Sequence, residues 1–263
     1  MRPLPKWVSI VVPLLIAVLA LAAWEVVVRV REIPPYVIPA PSLVWSTLIS
    51  DWPTLWPALL VTLKITLLSL LLAVVGGVLL AFLFSLSPWV ELSLVPFAVI
   101  LQVTPIIAIA PLIIIYAPNT LSALLICAWI VAFFPILSNT TVGLRSADRN
   151  LQDLFSLYGA SRWQRLRYLL APSALPYFLA GLKIAGGLSL IGTVVAEYAA
   201  GTSGQESGLA YRILEASFRL NVPRMFAALL LVAATGIVIY FSFNGLSRVL
   251  LKKWHESELD GNR

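Results

Sequence analysis

The chain alternates long apolar runs with short polar stretches. Six runs qualify as bilayer-crossing: about Trp7 to Val30, Ala58 to Leu86, Leu92 to Tyr116, Leu121 to Val142, Ala174 to Ala200 and Met225 to Leu251. A hydrocarbon core about 30 Å thick needs roughly 20 mostly apolar residues in a helix. A helix satisfies its backbone polar groups within its own segment, so the pattern predicts an all-α, polytopic protein with about six transmembrane helices. Two stretches between the runs are long. Residues 31–57 carry Pro34, Pro35, Pro39, Pro41, Pro53 and Pro57. They predict an extended, turn-rich connection outside the membrane, with a short interfacial helix from Ser42 to Ile49 capped by Ser42. Residues 143–173 form the second. There Leu151, Leu154, Phe155 and Tyr158 recur at helical spacing, which predicts an amphipathic helix over Asn150 to Tyr158. Gly159 ends it, Ser161 caps a second helix from Arg162 to Leu170, and Pro172 closes that one.

The chain therefore divides into an N-terminal anchor with its outer connection (1–57), a membrane domain with one long polar loop (58–251), and a polar tail (252–263). The first run has some marks of a signal peptide in Arg2, Lys6 and Ala20-Leu21-Ala22. Its apolar character continues through Val26, Val27, Val28 and Val30, which predicts an uncleaved anchor helix.

Composition agrees with this picture. The chain is 60% hydrophobic and 11% charged, with a mean hydropathy of +0.95. A soluble domain carries about 25% charged residues, so this exterior is built for lipid. The net charge of +6 does not mark a nucleic-acid surface, because the Lys and Arg are scattered through short stretches between apolar runs. They do orient the helices. With six spans, Arg2, Lys6, Arg145, Arg149, Arg162, Arg165, Arg167, Arg248, Lys252, Lys253 and Arg263 share one side, and only Arg29, Arg31, Arg212, Arg219 and Arg224 the other. Both termini are expected in the cytoplasm. Trp7, Trp52, Trp56 and Trp254 fall where an interfacial aromatic belt is expected. The lone Cys127 reads as a small buried side chain, and a single histidine, His255, excludes a histidine-built metal site.

Polar residues inside the runs are the candidates for a pathway, since each costs free energy in lipid unless paired or wet. Gln102, Thr104 and Pro105, with Pro96 and Pro111, predict a kinked third span whose freed carbonyls face a cavity. Ser138, Asn139 and Thr140 line that cavity from the fourth span or, on the other reading, bridge helices. Lys183 and Glu197 lie about 21 Å apart along the fifth span and cannot pair within it. Glu197 either gates the outer mouth or simply sits at the water interface. Lys183 either snorkels or attracts an anion. Lys64 is expected to snorkel. No catalytic constellation is present, and no Gly-x4-Gly-Lys-Ser/Thr phosphate loop.

The 143–173 loop resembles the EAA motif of permeases from binding-protein-dependent ATP-binding-cassette (ABC) importers: Glu-Ala-Ala, three residues, Gly, nine residues, Ile-x-Leu-Pro. Gly159 and Pro172 have its spacing, and Asp153 stands at the Glu. Leu154 and Phe155 replace the alanines, Leu169 takes the Ile position, and Ala171 replaces the Leu. Further segments are similar to the nitrate, sulfonate and taurine branch: Ile38-Pro-Ala-Pro-Ser42, Thr104-Pro105 through Pro111, Phe133 to Asn139, Gly143-Leu-Arg145, Gly159-Ala-Ser-Arg-Trp163, Ala174-Leu-Pro176, Gly181-Leu-Lys183, Ala196-Glu197 and Gly208-Leu-Ala-Tyr211.

The resemblance implies a type I (MetI-like) importer permease in a bacterial inner membrane. Two permease copies would form the pathway, two ABC ATPase subunits would dock below, and a solute-binding protein would deliver cargo outside. ATP and Mg would bind the ATPase, leaving this chain without cofactors. Asp153, Leu154, Phe155, Gly159, Ala160, Arg162, Leu169 and Pro172 would carry the coupling. Gln102, Thr104, Asn139, Lys183 and Glu197 would line the pathway. On the residues alone, the loop reads equally as a plug for a partner's groove or as an interfacial loop on the headgroups. A membrane-embedded enzyme and a self-sufficient carrier or channel remain as rival classes.

Overall fold

The computed structural model describes residues 8–201 and 207–252, and all regular structure among them is helical. Arg2, Lys6, Trp7 and everything from Lys253 onward, Trp254 and His255 included, lie outside the described residues.

Helix α1 (Val8–Val30) is followed by α2 (Pro41–Ser50) and by α3 (Trp52–Leu86), the longest at 35 residues. The third apolar run is two helices, α4 (Pro88–Val103) and α5 (Ile106–Tyr116), bent by 103° at the break. The expected single kinked span is thus corrected to a broken one. Pro105 has no N–H to give, and Thr104, preceding it, is driven to extended backbone (φ −70, ψ 120). The Thr104 hydroxyl then donates to the Ile100 carbonyl at 2.6 Å and finishes α4.

Helix α6 (Thr120–Arg145) leads into the loop helices α7 (Arg149–Leu157) and α8 (Arg162–Arg165). The chain continues through a π-helical turn, Leu166–Leu170, into α9 (Ala171–Ala200). Pro172 does not stop the helix, against expectation. In the wide turn the Ala171 N–H reaches back five residues to the Leu166 carbonyl. The ring is thereby taken up at the start of a helix, where a missing N–H is tolerated. Short α10 (Leu209–Phe218) precedes α11 (Val222–Leu251).

Helix α2 also departs from its expected cap. It begins at Pro41 with Ala40 as N-cap, because the Ser42 hydroxyl is used elsewhere. It donates to Glu25 of α1 at 2.7 Å, and the Ser42 N–H donates to the same carboxylate at 3.0 Å. That contact and the Trp24–Phe226 ring pair at 5.7 Å hold the C-terminal end of α1. Most of α1 otherwise faces outward with bare Leu, Val and Ile side chains. Trp52 and Trp56 stack at 5.3 Å at the start of α3.

The core is α3, α6 and α9. A Cβ added at Gly181 of α9 would come within 2.8 Å of the Pro135 carbonyl and the Asn139 Cβ of α6, and Gly143 of α6 meets Ala174 of α9 equally closely. The two helices therefore run antiparallel at backbone contact, a small-residue interface of the kind membranes favour. Helix α3 is also antiparallel to α9, by the polar rungs described below. It follows that α3 and α6 run the same way, so the α4–α5 pair must carry the chain back across the bilayer. Among the described residues, five unbroken helices and one broken pair are long and apolar enough for six crossings. A Gly181→Leu variant should force α6 from α9 and cost about 2 kcal/mol or more of stability. An unchanged unfolding temperature in detergent would count against the packing described.

Candidate functional site

Two groups of the expected residues separate clearly. At one end of the bundle Arg145 closes α6 and pairs with Glu91 at the start of α4. The Asp148 carboxylate then caps α7 by accepting from the Asn150 N–H at 2.7 Å. No residue of α7 is buried. Leu157 and Tyr158 stand 84% and 83% exposed.

Gly159 reverses the chain with φ 64, the left-handed region, and its neighbours close the turn: Gly159 N–H to Ser156 O at 3.0 Å and Ala160 N–H to Phe155 O at 2.9 Å. Ser161 makes a full capping box with Gln164, the Ser161 N–H to the amide oxygen at 2.8 Å and the Gln164 N–H to the hydroxyl at 3.2 Å. Arg165 bonds Ser156 across the turn. The result is a braced helix-turn-helix with an open groove of about 360 Å³ lined by Leu154, Phe155, Tyr158, Ala160, Gln164 and Tyr168.

Asp153, Leu154, Phe155, Gly159, Ala160 and Arg162 are brought together at this tip. Leu169 is not. It is buried beside Leu166, Leu144 and Leu251, and anchors the loop to the core. Pro172 is exposed and borders a separate hollow with Ser146, Tyr177 and Leu251.

The proposed pathway residues do not converge in the single chain. Gln102 is exposed just before the α4–α5 break, and Thr104 forms the break itself. The Asn139 amide donates to Pro135 O of its own helix at 2.8 Å while its Cβ packs against Gly181, so its hydrogen bond does not bridge two helices. Lys183 is half-buried and Lys64 exposed.

Glu197 corrects both earlier readings. It is 1% exposed, neither at the water interface nor open to a mouth. Its carboxylate accepts from the Thr62 hydroxyl of α3 at 2.8 Å and from the Ala210 N–H of α10 at 3.0 Å. Thr62 in turn accepts from the Leu209 N–H at 2.9 Å. Two more rungs join α3 to α9: Thr66 to Thr193 at 3.2 Å and Ser69 with Ser189 at 2.8 Å. The sequence reading missed this ladder. Its signal was there, in Thr62, Thr66 and Ser69 on one helical face and Ser189, Thr193 and Glu197 on another.

Residues 73–256 match the family model for the binding-protein-dependent transport system inner membrane component. The chain belongs to that family. It is 33% identical to the riboflavin transport system permease protein RibX of Chloroflexus aurantiacus over 96% of this chain and 92% of that one. It is 31% identical to the formylaminopyrimidine transport permease protein ThiX of Halalkalibacterium halodurans, over 94% and 96%. The taurine permease TauC of Escherichia coli is 26% identical over 89% and 86%. The crystal structure of an amino acid ABC transporter with histidines shares the fold, with a TM-score of 0.62 at 19% identity, over 79% of this chain and 97% of that one.

A binding-protein-dependent permease is a multi-pass inner-membrane subunit, not an enzyme. It works with an ATPase and a solute-binding protein, which sets aside the self-sufficient carrier or channel.

Proposed function

We propose that two copies of this permease form the pathway and that two ABC ATPase subunits drive it through the 149–165 loops. ATP and Mg would bind the ATPases alone. The supporting observation is the braced helix-turn-helix at Gly159, which offers apolar side chains and a groove on the basic side of the molecule. An unpartnered amphipathic helix of this build suits a partner's groove better than bulk solvent. The charge asymmetry supports a cytoplasmic position for that end and for both termini. ATP-driven approach of the ATPases would draw the two loops together, and the capped α8 with its π turn would pass the movement straight into α9. Gln102 and Thr104 at the broken span would face the pathway between the copies, with Lys183 further along it.

The relatives' cargoes (riboflavin, a formylaminopyrimidine, taurine) are small polar solutes, and we assign that class to this chain, with selectivity held largely by the binding protein. Co-purification tests the assembly. The tagged permease, expressed with its ATPase, should leave mild detergent as a complex, and Phe155→Asp should release the ATPase. A wild-type chain that emerges alone would refute the proposal.

A further inference from the structure

The outer end of the molecule carries a left-handed turn at a bulky residue, between α10 and α11. Helix α10 ends in a Schellman-type cap, with Leu220 N–H to Ser217 O at 3.1 Å and Asn221 N–H to Ala216 O at 2.9 Å. The left-handed position of such a cap usually falls to glycine. Here it is Leu220, at φ 52. A bulky residue held there costs on the order of 1 kcal/mol or more, and strain of this kind collects at functional surfaces. What the conformation achieves is display. Phe218 is 81% exposed and Leu220 73%, and the Arg219 side chain between them is 67% exposed.

This turn sits on a rigid support. The N-terminal end of α10 is pinned by the Leu209 and Ala210 N–H bonds to Thr62 and Glu197. Its middle is tied by Glu215 to Arg212 at 2.9 Å and to Arg219 at 3.0 Å. Beyond the turn, Asn221 caps α11 by accepting from the Arg224 N–H at 3.2 Å. The Arg224 side chain then pairs with Asp51 at 2.5 Å. That ion pair lies between the turn and the apolar length of α11. Phe218 and Leu220 therefore stand beyond the Arg224–Asp51 pair, on the side away from the apolar length of α11. They are also at the end of the bundle opposite the 149–165 loop, since α9 runs from one to the other.

We propose that the Phe218-Arg219-Leu220 turn is a docking knob for the solute-binding protein, whose matching surface would be an apolar pocket rimmed by a carboxylate for Arg219. The proposal rests on the importer reading given above. Two apolar anchors around one arginine, held rigid before contact, form a compact binding hot spot.

The test uses the complete transporter in nanodiscs with its binding protein, comparing Leu220→Gly and Phe218→Ser with wild type. Glycine at 220 relieves the backbone while removing the anchor, so the variant should unfold at the same or a higher temperature and yet bind the binding protein about tenfold more weakly. Basal ATPase should be unchanged while its stimulation by the binding protein falls. Three results would overturn the proposal. One is unaltered affinity in both variants. Another is separation of the two permease copies on gel filtration, which would make the turn a contact between copies. The third is an affinity loss in nanodiscs that vanishes in detergent, which would make it a lipid anchor. If wild type itself fails to bind any binding protein, the importer reading falls first and takes this inference with it.

Discussion

Replacing Gly159 by valine is expected to abolish uptake, with a loss of tenfold or more, while the protein still inserts and assembles. A Cβ at this position meets nothing within 4 Å, so crowding is not the reason. The backbone is. At φ 64 a β-branched residue pays about 1–2 kcal/mol or more, enough to shift the loop to other conformations. The two hydrogen bonds that reverse the chain would then open, and the end of α7 would no longer face α8. A rigid link between ATPase and α9 would become a slack one. ATP hydrolysis should continue without cargo movement. Asparagine tolerates the left-handed region far better, so Gly159→Asn should keep most of the uptake. Paired measurements of ATP turnover and solute uptake in proteoliposomes decide the matter. Equal uptake by the valine variant and wild type would contradict the role assigned to this turn.

The second large effect is expected at Gly208. A methyl group there would strike the Glu197 carboxylate itself, and that carboxylate cannot retreat, being held by Thr62 and the Ala210 N–H. Gly208→Ala should cost about 2–3 kcal/mol, near the upper end for an inserted methyl group, since the obstacle is a fixed polar group. Glu197→Ala removes the obstacle but strands the Thr62 hydroxyl and a helix N–H, a loss of about 1–3 kcal/mol. The double variant should be less destabilised than the two single losses summed, because the changes share one contact. Thermal unfolding of the purified permease measures all three. Strict additivity would mean that the residues do not interact as described.

Much of this was legible in the residues, and the failures have physical causes. The apolar runs predicted the spans because lipid imposes one length on every helix. Gly159 and Ser161 predicted their turn and cap because both are local devices, complete within a few residues. Pro172 misled because a proline's effect depends on the turn before it, and a π turn leaves no mark in the sequence. The prolines about Thr104 predicted a bend, but its size depends on how α4 and α5 pack. Leu169 has the motif's spacing, yet spacing does not say which face of a helix meets the core. Glu197 lies three residues from the end of an apolar run and so read as peripheral. Its partner Thr62 is 135 residues away in sequence, and only the folded chain brings the two together.

The claim on which the rest depends is that the 149–165 loop is gripped by a separate ATPase. The only native cysteine, Cys127, is buried, so a single engineered thiol can report on this directly. With Leu157→Cys at the tip and Phe218→Cys at the opposite end, membranes holding the full transporter are treated with a thiol-to-amine cross-linker. The account predicts an ATPase adduct from position 157, with a yield that changes when ATP is trapped, and none from position 218. Adducts to the ATPase from neither position, or equally from both, would contradict it.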